Sequence, residues 1–135
     1  MIKIRGLDHV VLRTTQLPQM LHFYGDLLGC PVEREMPPAM GLTQLRAGSA
    51  LIDLVTVDSE LGRMGGGAPQ QQGRNVDHFC LQVEPIAIDA LRDYLTQAGV
   101  ACLEDGERYG SDGFGLSLYV LDPEGNTVEL RPPAG

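Results

Sequence analysis

Apolar and polar positions along the chain switch between two periods, and the switch happens twice. The opening segment MIKIRGLDHVVL alternates as a half-buried strand does. In TTQLPQMLHFYGDLLG the apolar residues Leu17, Met20, Leu21, Tyr24 and Leu28 then keep to one face, the spacing of an amphipathic helix that closes at Gly29. Beyond it the period returns to two. A short strand near 32–36 precedes LTQLRA and ALIDLVTV, and Gly48-Ser49 between them predicts a hairpin with a two-residue turn. The order then recurs, with VDHFCL (76–81) echoing LDHVVL (7–12). EPIAIDALRDYLTQAG sets Ile88, Leu91, Leu95 and Ala98 on one helical face and closes at Gly99. A short strand near 100–103 follows. GLSLYVL and NTVELR then flank Asp122-Pro123-Glu124-Gly125, where proline second and glycine fourth fit a type I turn. Pro18 and Pro85 stand early in the two helices, where a missing N–H costs little, and Gly29 and Gly99 suit left-handed caps.

This pattern predicts one α+β domain over residues 1–135, made of two tandem units, each strand–helix–three strands. Unit 1 covers about 1–58 and unit 2 about 76–135. The intervening SELGRMGGGAPQQQGRN (59–75) has no apolar period and reads as a flexible linker. At 135 residues, with 43% hydrophobic and 21% charged residues, the chain can bury a core without staples. A net charge of −8, a single lysine (Lys3) and dispersed arginines argue against nucleic acid or an anionic membrane surface as partner. The acidic balance slightly favours a neutral or cationic small-molecule ligand. No stretch has the length and apolarity of a membrane span, no signal-peptide pattern opens the chain, and Cys30, Cys80 and Cys102 are too few for a disulfide framework. A reduced, cytoplasmic protein is expected.

The candidate chemistry sits on matched strands. His9 and His78 occupy equivalent positions in the two copies, and Asp53 and Glu129 interrupt the apolar runs LIDLV and TVEL. A carboxylate on a buried face is normally neutralised by a partner or a metal. Two imidazoles with one or two carboxylates make a competent divalent site, suited to zinc, nickel, manganese or iron. His22 has no counterpart in the repeat and is expected at the surface. Asp8 and Asp77, each preceding a histidine, are expected to be strand-end polar residues pointing away from the histidine face. The cysteines are expected to be small core residues rather than nucleophiles, with Cys80 on the His78 face.

The motifs LDHVVL, FYGDLLG (23–29), ALIDLV (50–55), VDHFCLQV (76–83) and LYVLDPEGNTVEL (118–130) resemble the vicinal oxygen chelate superfamily of glyoxalases, bleomycin-resistance proteins and dioxygenases. The resemblance implies paired βαβββ units forming a curled mixed sheet, with helices on the outer face and a divalent metal in the cup. Its metal ligands fall on His9, Asp53, His78 and Glu129. It further implies a lyase or isomerase that polarises a substrate with adjacent oxygens and passes through a metal-stabilised enediolate. In that scheme Glu129 is ligand and base, Asp53 a second base or ligand, and Tyr119 a hydrogen-bond donor to substrate. Asp53 stands where glyoxalase I has Glu or Gln. Two alternatives share the resemblance: an extradiol-type dioxygenase with His9, His78 and Glu129 as an iron triad, and a drug-binding protein of the bleomycin-resistance type without chemistry. A homodimer with sites shared between chains is expected by the same likeness.

Overall fold

In the computed structural model, which describes residues 1–134, the chain divides into two compact units, Met1–Gln70 and Gln71–Gly135. The first contains β1 (His9–Thr14), α1 (Leu17–Leu21), β2 (Val32–Glu35), β3 (Leu42–Ala47), β4 (Ala50–Thr56) and α2 (Glu60–Arg63). The second contains β5 (Phe79–Gln82), α3 (Ile88–Gln97), β6 (Cys102–Gly110), β7 (Gly113–Leu121) and β8 (Thr127–Arg131). Each unit folds into a four-stranded mixed sheet of the same topology, β1-β4-β3-β2 and β5-β8-β7-β6. In both, the first strand lies parallel to the last and the remaining neighbours are antiparallel. The expected α+β architecture of two tandem βαβββ units is the one observed.

Strand alternation separates a core face from a face that carries the polar groups, among apolar residues such as Val11 and Val55 in the first sheet. In the first unit Leu45, Ile52 and Leu54 are fully buried, as are Met20, Phe23 and Tyr24 of the helical segment. That segment is α-helical only over Leu17–Leu21. From His22 to Leu27 its turns widen to the π form, and Leu28 N–H donates to the Phe23 carbonyl. Gly29, at φ +77°, lets the chain turn back so that Cys30 N–H reaches the Tyr24 carbonyl. In the second unit Leu91 and Leu95 of α3 are buried, together with Leu118 and Val120 of β7 and Val128 and Leu130 of β8. The residues between these on β7 and β8, namely Ser117, Tyr119, Glu129 and Arg131, point to the other face.

Two expectations change. The strand expected near 100–103 runs on through Gly110, nine residues, and pairs along β7. Its continuation EDGERYG carries no apolar alternation, so pairing with β7 rather than burial makes it a strand. The segment read as a flexible linker opens with a capped helical turn, in which Ser59 Oγ accepts from Gly62 N–H at 3.0 Å. Arg13 of β1 then gathers the carbonyls that follow. Its guanidinium donates to Gly62 at 3.0 and 3.2 Å, to Gly67 at 2.9 Å and to Gly66. A Cβ at Gly65 would lie 2.4 Å from Arg13 Nε, so this glycine leaves room for the guanidinium. Among the described residues, no helix is long and apolar enough to cross a membrane.

Candidate metal centre

On one face of each sheet a histidine and a carboxylate are brought together by the parallel pairing of first and last strands. In the first unit His9 pairs with Leu51 and Val11 with Asp53, so Asp53 lies one pleat along from His9. His9 Nε2 is 4.0 Å from Asp53 Oδ2. Asp53 is buried, and Gln44 of β3, directly opposite it, donates to both carboxylate oxygens at 3.2 and 3.3 Å. In the second unit His78 immediately precedes β5, and Cys80 pairs with Glu129. His78 Nε2 approaches Glu129 Oε1 to 3.0 Å, and Ser117 Oγ donates to Glu129 Oε2 at 2.6 Å.

The far nitrogen of each imidazole is engaged as well. His9 Nδ1 is 2.7 Å from Asp8 Oδ1, and His78 Nδ1 is 2.7 Å from Asp77 Oδ2. Asp8 and Asp77 therefore do not simply point away, as the alternation of strand residues had led us to expect. Both are highly exposed, and each turns its carboxylate along the chain to the next residue's ring.

Charge follows this geometry. His9 is raised above the ordinary imidazole value, first by the hydrogen bond to Asp8 and next by the Asp53 charge. His78 is raised first by Asp77, with Glu129 adding to it against a partial desolvation. Burial alone would push Glu129 upward; Ser117, Tyr119 and His78 outweigh it and hold the carboxyl below the usual range. Tyr119 stands edge-on to His78, ring centroids 5.3 Å apart, and the Arg108 guanidinium lies 5.4 Å over its ring. Desolvation first, and then the Glu129 carboxylate, raise the phenol above its ordinary value, and Arg108 opposes them. Cys80 is exposed beside Glu129 rather than packed in the core. Its thiol is pushed up to about 12 by desolvation and by that carboxylate, which keeps it protonated at neutral pH. His22 is exposed and meets Asp26 at 3.0 Å.

Three contributors escaped the sequence reading, Gln44, Ser117 and Arg108, and the role of Asp8 and Asp77 was not foreseen. Ser117 was within reach, since it lies two residues from Tyr119 on one strand and must share its face. Gln44 and Arg108 require the register across β3–β4 and β6–β7. Arg131, two residues beyond Glu129, is a buried clamp. It donates to the carbonyls of Arg108, at 3.0 Å, and of Gly113. A Cβ at Gly110 or Gly115 would stand 3.0–3.1 Å from its guanidinium, so the YGSDGFG glycines accommodate it.

The donor chemistry fits a divalent ion held in halves. Two donors each about 2.1 Å from one ion, at about 90–110°, lie roughly 3.0–3.4 Å apart. The His78–Glu129 separation of 3.0 Å meets that bite, and the His9–Asp53 separation of 4.0 Å needs a small rotamer closure. Each pair alone supplies two donors. Among the described residues no three His, Cys, Asp or Glu side chains gather as one metal-competent group.

Residues 6–130 match the sequence profile described as Glyoxalase/Bleomycin resistance protein/Dioxygenase superfamily. A curated relative, Biphenyl-2,3-diol 1,2-dioxygenase 3 of Rhodococcus globerulus, is 32% identical over 93% of this chain; the match spans 62% of the relative's own length. An integron cassette protein from the V. cholerae mobile metagenome shares the fold at a TM-score of 0.74 and 26% identity, over 99% of each chain. Lactoylglutathione lyase from Agrobacterium tumefaciens is similar in fold at a TM-score of 0.68, with 18% identity over 97% of this chain and 96% of that one.

Proposed function

The chain belongs to the Glyoxalase/Bleomycin resistance protein/Dioxygenase superfamily, and from that premise we propose that it is a divalent-metal enzyme, a lyase or isomerase acting on a small substrate with adjacent oxygens. The observation that carries this reading is the duplicated His–carboxylate pair, His9 with Asp53 and His78 with Glu129, one on a face of each sheet. His9, His78 and Glu129, with Asp53 as fourth donor, would hold zinc, nickel, manganese or iron. When bound, the ion supplies Lewis-acid polarisation of a carbonyl oxygen. Two donors per unit are fewer than the four of a tetrahedral site. In our reading the full set joins His9 and Asp53 of one chain to His78 and Glu129 of a partner in a two-fold dimer.

The chain's own residues then divide the work. Glu129 is ionised at neutral pH and can accept a proton, although its lowered pKa makes it a weak base and a good ligand. Ser117 keeps one carboxylate oxygen fixed while the other faces His78. The Tyr119 hydroxyl stays protonated and can donate to a substrate oxygen. Asp53, steadied by Gln44, is the second carboxylate available for proton movement.

A second reading has its own support. Asp53 is bonded to Gln44 and stands farther from its histidine than Glu129 does, which leaves His9, His78 and Glu129 as the stronger three donors. That is the donor set of a two-histidine-one-carboxylate iron site, and the 32% identical relative carries a dioxygenase name. The matched imidazole–carboxylate pairs count against a purely sequestering protein. Elemental analysis tests the proposal, with about one divalent ion per chain expected. If wild-type protein takes up no zinc, nickel, manganese or iron on reconstitution, the enzymatic reading is wrong. Oxygen consumption by iron-loaded protein with a catechol would select the dioxygenase over the lyase or isomerase.

A further inference from the structure

We infer that Asp8 and Asp77 are a matched pair of positioning residues, each fixing the next residue's imidazole so that Nε2, not Nδ1, faces the sheet carboxylate. The inference rests on the metal reading above and extends it to two residues outside the proposed ligand set. The same contact is made twice, 2.7 Å from carboxylate to Nδ1 in both units, at positions related by the repeat. Two separate strands thus arrive at one arrangement, although the residues beyond each histidine differ: Val10 and Val11 in one, Phe79 and Cys80 in the other.

An imidazole free to flip about its χ2 torsion offers either nitrogen to an ion. A carboxylate on Nδ1–H removes that choice: it holds the tautomer with the lone pair on Nε2, orients the ring and raises the ligand's basicity. In the second unit the oriented Nε2 sits 3.0 Å from Glu129, and Tyr119 closes one side of the ring edge-on. In the first, Asp53 is 4.0 Å away and, among the described residues, no aromatic ring packs edge-on to His9, so Asp8 at 2.7 Å is the closer polar restraint. The effect of losing the aspartate should therefore be larger at His9 than at His78. Both carboxylates are exposed, and water competes for these bonds, which places each effect near the low end of the range for such outer partners, about 10-fold in metal affinity.

The test uses full-length protein and zinc alone as probe. Asp8→Ala and Asp77→Ala should weaken zinc binding on the order of 10-fold, Asp8→Ala more than Asp77→Ala, without changing the unfolding temperature of metal-free protein. Asp8→Asn and Asp77→Asn keep an acceptor for Nδ1–H and should recover most of that loss. A loss as large in the Asn as in the Ala variants would assign the effect to charge and overturn the positioning role, as would unchanged affinity in all four. In parallel, ¹⁵N spectra of metal-free protein, at a pH where the rings are neutral, should show His9 with its proton on Nδ1 in wild type and a shift toward the Nε2–H form in Asp8→Ala. An Nε2–H tautomer in wild type would overturn the inference whether or not zinc binds. Failure of wild type to bind zinc or any other ion would instead remove the metal reading and leave the tautomer result standing.

Discussion

Replacing Ser117 by alanine isolates what holds the Glu129 carboxylate ionised on a largely buried sheet face. Ser117 is fully buried, and its hydroxyl reaches Glu129 Oε2 at 2.6 Å, the short distance of a charge-assisted bond. Such a bond to a charged group contributes about 1.5–3 kcal/mol, against about 0.5–1.5 kcal/mol for a neutral one. For a domain of this size each kcal/mol moves the unfolding temperature by roughly 3–5 °C, so Ser117→Ala should lose about 5–15 °C near neutral pH. The pH dependence is the discriminating part. The folded pKa of Glu129 is lowered, so the charge-dependent stabilisation is fully present above the unfolded carboxyl value, near ~4.3, and disappears as pH falls through the folded value. The gap between wild type and Ser117→Ala should thus be widest at neutral pH and shrink on acidification toward the neutral-bond figure. Thermal unfolding of chelator-treated protein across the acid range measures it. A gap that stays constant with pH would mean that Ser117 makes an ordinary core bond and that the carboxylate owes its ionisation to other groups.

Four further outcomes are expected. His78→Ala should abolish metal uptake, as read by elemental analysis after reconstitution, because it removes one of the two donors of the second unit. Asp53→Asn should lower turnover by about 10²–10⁴-fold with metal occupancy intact if Asp53 acts as a base; unchanged turnover and metal affinity would favour the three-donor iron site. Light scattering should report a dimer at micromolar concentration, and a metal-loaded monomer would exclude sites shared between chains. Arg13→Ala should speed amide exchange and proteolysis within 59–75, because the carbonyls of Gly62, Gly66 and Gly67 lose their common donor; protection equal to wild type would mean the Arg13 clamp contributes nothing to order there.

The sequence by itself determined the element order and the pairing of the chemistry. Period changes at Gly29 and Gly99, the two turns and the repeated Asp-His are local signals, because a strand's alternation, a helix's face and a glycine's positive φ are set within a few residues. Strand alternation likewise sets Glu129 and Tyr119 on the face opposite Val128 and Val120, because adjacent residues on a strand point to opposite sides. Contacts that depend on register or on unusual backbone were decided only in the tertiary structure. Gln44 meets Asp53, and Ser117 meets Glu129, because neighbouring strands bring residues far apart in sequence to within 3.3 Å. The π turns over 22–27, in which Phe23 and Tyr24 are buried, are not foretold by the 3.6-residue period. The glycines of 62–67 and 110–115 look like flexible loop in a sequence because composition cannot show what fills the space they leave. In the fold two guanidiniums lie beside some of these glycines, Arg13 at Gly65 and Arg131 at Gly110 and Gly115, and their positive charge needs several carbonyls at once.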